Sequence, residues 1–121
     1  MPKRILIAED ELETRELLSS IAKIHGYEVK AVTDGVDLLT IVADEKFDVI
    51  ITDLMMPNLN GASAAEIMKM QGNTTPVIAL TAASYHDLSA VQDKFTKIYY
   101  KPCDIKELFD YVESLTARKL G

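Results

Sequence analysis

The stretch FDVIITDLMMPNLNG, residues 47–61, decides the fold. Val49, Ile50 and Ile51 form a β-branched apolar run too short for a helix, the pattern of a strand buried on both faces. Thr52 and Asp53 stand at its C-terminal end, followed by two methionines, Pro57 and Gly61. Pro57 cannot continue a sheet and restricts Met56 to an extended backbone, so the chain must turn there. A carboxylate is thereby placed at the tip of a central strand, where open parallel α/β sheets carry their ligand chemistry. A lone Asp in that place is ordinarily a solvated strand terminus. Three other strand ends overturn that reading.

Working outward, residues 3–8 (KRILIA) predict a first strand with Glu9, Asp10 and Glu11 crowding its end. A helix follows with Leu17, Leu18, Ile21 and Ile24 as its apolar stripe, stopping at His25-Gly26. His25 reads as a donor near that helix end and not as a catalyst. Residues 28–32 alternate in polarity, as an edge strand does, and Asp34 caps a second helix with Leu38, Leu39 and Val42 on one face. Beyond the central strand, Asn60 or a neighbour caps a third helix through Ala64, Ala65 and Met68, ended by Gly72-Asn73. Met55, Met56, Met68 and Met70 read as core and loop packing rather than metal ligands. Residues 77–80 (VIAL) are a further apolar strand ending at Thr81. Ser84 predicts the cap of a fourth helix with Leu88, Val91 and Phe95 inward, and His86 in its first turn has no partner for chemistry. Ile98, Tyr99 and Tyr100 make a last strand closed by Lys101-Pro102. Asp104 and Glu107 have capping-box spacing before a final helix striped by Ile105, Leu108, Phe109, Val112 and Leu115.

Strand and helix thus alternate five times, which predicts a parallel α/β sandwich over 1–121 as a single domain. The wholly apolar first, third and fourth strands belong inside the sheet and the second and fifth at its edges. With right-handed crossovers the strand order is 2-1-3-4-5, helices covering both faces.

The bulk composition sets limits. At 121 residues the chain can bury a real core. Thirteen basic against nineteen acidic residues give a net charge of −6, which argues against direct nucleic-acid binding by the domain as a whole. A single cysteine, Cys103, precludes an internal disulfide and suits a reducing compartment. Neither a signal-type apolar region nor a long apolar span occurs, so a cytoplasmic location with no membrane partner is the expectation.

Parallel strands present their C-terminal ends on one face, and there the sequence places Glu9 and Asp10, Asp53, Thr81 and Lys101. Three carboxylates in one cleft repel unless a cation sits among them. Oxygen-only ligation points to a hard ion, Mg²⁺ before Ca²⁺. The Thr81 hydroxyl and Lys101 ammonium suit a phosphoryl group. Metal, carboxylate nucleophile, hydroxyl and ammonium are the parts of phosphoryl transfer to an aspartate. A structural salt-bridge cluster would explain Lys101 alone, leaving the surplus acid and Thr81 unaccounted for. In a solvated cleft, loss of Lys101 is expected to cost no more than about 1 kcal/mol.

Glu9-Asp10, the run DLMMPNLNG at 53–61, Thr81-Ala82 and Lys101-Pro102, in this order and spacing, resemble a receiver domain of the two-component response regulator family, of the chemotaxis-regulator kind. The likeness runs from about residue 3 to 115 and implies a doubly wound, flavodoxin-like fold. It further implies that Asp53 accepts a phosphoryl group from a sensor histidine kinase or a histidine phosphotransfer protein and switches binding to a downstream protein. By the same resemblance Asp10, Asp53 and the Met55 carbonyl ligate Mg²⁺, with Glu9 acting mainly through water. Thr81 and Lys101 bind phosphoryl oxygens, and the Lys101–Pro102 peptide is cis. The chain departs from the family pattern at Ile98, where an aromatic is usual, and at Lys94-Phe95, where a Gly-Ala pair is common. With Ile98 unable to turn like an aromatic ring, the 82–85 loop and the start of the fourth helix are expected to carry the switch instead.

Two other function classes remain at this stage. A metal-dependent phosphohydrolase working through an aspartyl-phosphate would usually carry a second acid where Met55 stands. A receiver-like docking module that takes no phosphate would have no use for the complete Asp53, Thr81 and Lys101 set. A nucleotide-binding fold is excluded because neither phosphate-binding glycine motif follows any strand.

Overall fold

A computed structural model of the chain describes residues 2–82 and 91–117. Five strands, β1 (Arg4–Ala8), β2 (Glu28–Val32), β3 (Val49–Asp53), β4 (Val77–Thr81) and β5 (Lys97–Tyr100), pair in parallel in the order β2-β1-β3-β4-β5. The expected order therefore holds, and burial shows why. Every residue of β3 and β4 is buried, and so are four of the five in β1, whereas β2 and β5 contain no buried residue. Only strands with hydrogen-bonding neighbours on both edges and helices over both faces need to be apolar throughout.

Four α-helices are described: α1 (Leu12–Ile24), α2 (Gly35–Asp44), α3 (Gly61–Met70) and α4 (Ile105–Thr116). They divide between the two faces of the sheet. Leu18 and Ala22 of α1 and Leu108, Phe109 and Val112 of α4 pack on Ile5, Ile7, Val49, Ile51, Ile78 and Leu80. Leu38 of α2 and Ala64, Ala65 and Met68 of α3 pack on Leu6, Ala8, Ile50, Val77 and Ala79. This is the alternation of a pleated strand, successive side chains facing opposite helical layers.

The helix ends follow the local chemistry. Asp34, Asn60 and Asp104 each accept the backbone N–H three residues on, at 2.8, 2.8 and 3.2 Å. Gly26 and Gly72 take positive φ, +89° and +79°, just past α1 and α3. His25 pairs through Nδ1 with Glu113 Oε1 at 2.6 Å and stacks on Phe109, joining the end of α1 to α4.

Three sequence expectations need correction. The buried face of α1 is Leu18 and Ala22 with Ile21 alongside, while Leu17 and Ile24 are 49% and 82% exposed. The small Ala22 belongs to the stripe, and counting it moves the buried face away from Leu17 and Ile24, one row round the helix. Of the methionines, Met68 fills the core and Met56 packs against it, but Met55 and Met70 are exposed. Met70 lies two positions after Met68, which turns it to the opposite side of α3. Phe95 is buried, yet it follows a 3₁₀ turn (Gln92–Lys94) in extended backbone and is not carried by a helix. The proposed Ser84 cap, Leu88, His86 and most of the 82–85 loop fall in residues 83–90, outside the described part.

Candidate functional site

Strand register brings the chemistry together. Ala8 pairs with Thr52, Asp53 with Leu80, and Thr81 with Tyr100, so the residues just beyond these pairs meet at one end of the sheet. The ladder continues past the strands: Glu9 N–H donates to Val32 O (3.0 Å), Leu54 N–H to Leu80 O (3.1 Å) and Lys101 N–H to Thr81 O (2.8 Å). Pleat parity then chooses the side. Glu9, Asp53 and Lys101 each lie two residues beyond Ile7, Ile51 and Tyr99, all of which face α1 and α4. Three side chains from three strands thus project into one space.

There, Lys101 Nζ donates to Glu9 Oε1 at 2.7 Å and to Asp53 Oδ2 at 2.9 Å. Oxygens of Glu9, Asp10 and Asp53 come within 4.8 Å of one another. Asp53 Oδ1 accepts the Met55 N–H at 3.0 Å, which closes the turn after β3. Thr81 is fully buried at the end of β4, in the row of Ala79 that faces α2 and α3. The Lys101–Pro102 peptide is cis.

Burial divides the acids sharply. Glu9 is 1% and Asp53 7% exposed, while Asp10 lies open to solvent. The Glu9 carboxyl is raised to about 7, chiefly by burial and also by the charge of Asp53, against the lowering by the Lys101 ammonium and the Glu11 N–H. For Lys101, burial works downward, but the hydrogen bonds to Glu9 and Asp53 outweigh it and the ammonium is held above its ordinary range. A carboxylate that ionises reluctantly, beside two others, is the electrostatic setting of a cation site. The donor set is all oxygen, so these residues fit Mg²⁺. The expected cost of losing Lys101 needs correction too: its partners sit in the interior, so the solvated-cleft estimate does not apply.

Sequence reasoning alone assigns no role to several residues that build the site. Gly61 is forced by a close approach: a Cβ there would lie 2.4 Å from the Asp53 carbonyl oxygen. Gly35 meets the same constraint against Leu59 O, at 2.2 Å. Gly35 N–H also donates to that oxygen, and Asn58, at φ +67°, donates to Asp34 Oδ2 at 2.7 Å. The loop after Asp53 is therefore strapped to the turn before α2. Arg15 reaches back from α1 to the carbonyls of Glu9 and Asp10. A glycine following a turn-forming Asn was a readable signal for Gly61, but nothing local identifies its neighbour. An apolar groove of about 390 Å³ runs beside Lys101 and is lined by Leu17, Leu18, Leu80, Pro102, Cys103 and Ile105, with Thr14 at its edge.

Comparison with known proteins agrees with this geometry. The family model for the response regulator receiver domain matches residues 5–113. Response regulator MprA of Mycobacterium sp. (strain KMS) is 32% identical over 120 residues, which cover 98% of this chain and 52% of that relative, so the chain spans about half its length. The receiver domain of the Francisella response regulator 1452 superposes with a TM-score of 0.88 at 29% identity, covering 93% of this chain and 95% of that one. Response regulator TrrA of Thermotoga maritima, solved with Mg²⁺ and BeF, gives 0.86 at 28% identity, covering 93% and 98%. The family match takes in β2 to β5, all of β1 but Arg4 and all but the end of α4, and it spans the carboxylates gathered around Lys101; the chain belongs to the response regulator receiver domain family.

Proposed function

We propose that the chain accepts a phosphoryl group on Asp53 from a phosphohistidine of a sensor kinase or histidine phosphotransfer protein, and that the product switches binding to a downstream protein. The observation that carries this reading is the Lys101 ammonium shared between Glu9 and Asp53, with three carboxylates converging beside it. An Asp53 carboxylate oxygen attacks phosphorus, the P–N bond to the donor imidazole breaks as the P–O bond forms, and the imidazole leaves. Later attack by water returns the carboxylate and inorganic phosphate. Asp10, Asp53 and the Met55 carbonyl would hold Mg²⁺, with Glu9 acting through water. The metal supplies charge neutralisation between the carboxylate and the incoming phosphoryl oxygens. Lys101, already poised at Asp53, would transfer its hydrogen bond to a phosphoryl oxygen, and Thr81 would meet another. The apolar groove beside Lys101 supports a protein donor over a free small phosphate.

The test is mass spectrometry after incubation with acetyl phosphate and Mg²⁺. One labile phosphate is expected on the wild type and none on Asp53→Asn. An unlabelled wild type would leave the docking-module reading, and continuous turnover of diverse phosphate esters the phosphohydrolase one.

A second expectation concerns metal and folding. Mg²⁺ at ten times its Kd should stabilise the wild type by about 1.4 kcal/mol, the linkage for a ligand that binds only the folded state. Asp10→Asn removes one of three converging charges, so it should melt higher than wild type without metal and lose the Mg²⁺ response. A variant that melts lower and still responds would show that the three acids do not strain the metal-free fold.

A further inference from the structure

We propose that Arg15 is a positioning residue for the metal-binding acid loop, holding the Asp10 carboxylate on target through the backbone. The proposal rests on the Mg²⁺ site described above. Arg15 lies in the first turn of α1, where side chains lean toward the helix N-terminus. Its Nη1 donates to Glu9 O at 2.9 Å and to Asp10 O at 3.3 Å. The short link between β1 and α1 is thereby held at its middle, while Glu9 N–H is bound to Val32 O and Glu11 N–H to Glu9 Oε2. Among the described residues Arg15 forms no ion pair, unlike Lys101, which binds the carboxylates directly. The two cations of this cleft thus divide the work: Lys101 occupies carboxylate oxygens, whereas Arg15 grips carbonyls and leaves the Asp10 oxygens to a metal.

Charge and geometry make opposite predictions for Arg15, which is what makes the assignment testable. A positive charge beside a cation site opposes Mg²⁺, so removing it for charge alone should tighten binding. Releasing the two carbonyls should loosen Asp10 and weaken it. Removing the outer partner of a metal ligand commonly costs about tenfold or more in affinity. Lysine keeps the charge, but its ammonium nitrogen ends one atom short of the place where Arg15 Nη1 donates to both carbonyls.

The experiment is an Mg²⁺ titration of the full chain followed by the amide resonances of Asp53 and Met55, with folding checked separately by urea denaturation. Arg15→Ala and Arg15→Lys are both expected to raise the Kd for Mg²⁺ by roughly tenfold, and to move the metal-free Asp10 and Glu11 amides. Unchanged or tighter binding in folded Arg15→Ala overturns the proposal, as does full retention of affinity in Arg15→Lys. Should Arg15→Ala fail to fold, Arg15→Lys alone decides. A wild type with no saturable Mg²⁺ shift overturns the metal reading itself, an outcome distinct from a variant that binds as well as wild type.

Discussion

Lys101→Ala is expected to lower the stability of the metal-free protein by about 2–3 kcal/mol at pH 8, and by less at pH 6. The side chains it leaves behind, Glu9 and Asp53, are only 1% and 9% exposed. Breaking a buried pair by removing one partner costs about 3–5 kcal/mol. Two features reduce that here: the Lys101 side chain is itself 25% exposed, and Glu9 can escape by taking up a proton. The sign follows from the Glu9 carboxyl, raised from 4.5 to about 7 in the folded state. The folded form holds that proton more tightly than the unfolded chain, so stability is greatest at the acid end and declines as pH rises from 4.5 through 7. Without the ammonium the Glu9 carboxyl rises further, and the loss steepens toward pH 8. Lys101 stays charged throughout this window, because its own pKa is raised from 10.5. Urea denaturation at both pH values, without and then with Mg²⁺, checks the result. Metal should recover part of the loss by neutralising the stranded carboxylates. Equal stability of variant and wild type at pH 8 would mean that the two acids reach water.

Gly61→Ala should destabilise the fold by about 2–4 kcal/mol and weaken Mg²⁺ binding with it. At an unobstructed helix position the same change would stabilise by about 1 kcal/mol. Gly61 opens α3 directly after the Asn60 cap, and its N–H donates to Leu54 O at 3.0 Å. A new Cβ would meet the Asp53 carbonyl oxygen at 2.4 Å and the Leu54 Cα at 3.2 Å, both main-chain atoms with no rotamer to yield. Relief must come from moving α3 or the end of β3, and either displaces Asp53. Gly26→Ala is the control: nothing lies within 4 Å of its Cβ, so only the cost of positive φ applies and the site should be untouched. Chemical denaturation and the Mg²⁺ titration measure the two effects separately. A Gly61→Ala protein as stable as wild type would show that the contact relaxes without strain.

Much of the fold was readable because its signals are local. Apolar runs at residues 49–51 and 77–80 declare strands covered on both faces, and alternation at 28–32 declares an edge. Asp34, Asn60 and Asp104 announce the helices they cap, since the acceptor and the N–H it binds are three residues apart. The gathering of Glu9, Asp10, Asp53, Thr81 and Lys101 at one end was also legible, because parallel strands must finish on the same side.

What the amino-acid sequence determined by itself, then, is the order of elements, the sheet order and the set of groups at the strand ends. Periodicity, capping and handedness act within a few residues or through general chirality, so they need no coordinates. Only the tertiary structure decided that Glu9 is sealed in while Asp10 stands in solvent, and that Lys101 is already shared between Glu9 and Asp53. It alone decided that Ala22 rather than Leu17 faces the sheet, that Gly61 touches the Asp53 backbone, and that Arg15 grips the acid loop. Each of these depends on register between distant strands and on how closely a helix settles on the sheet. Burial and distance arise from the packing of segments tens of residues apart, and they set the ionisation of Glu9 and the cost of losing Lys101.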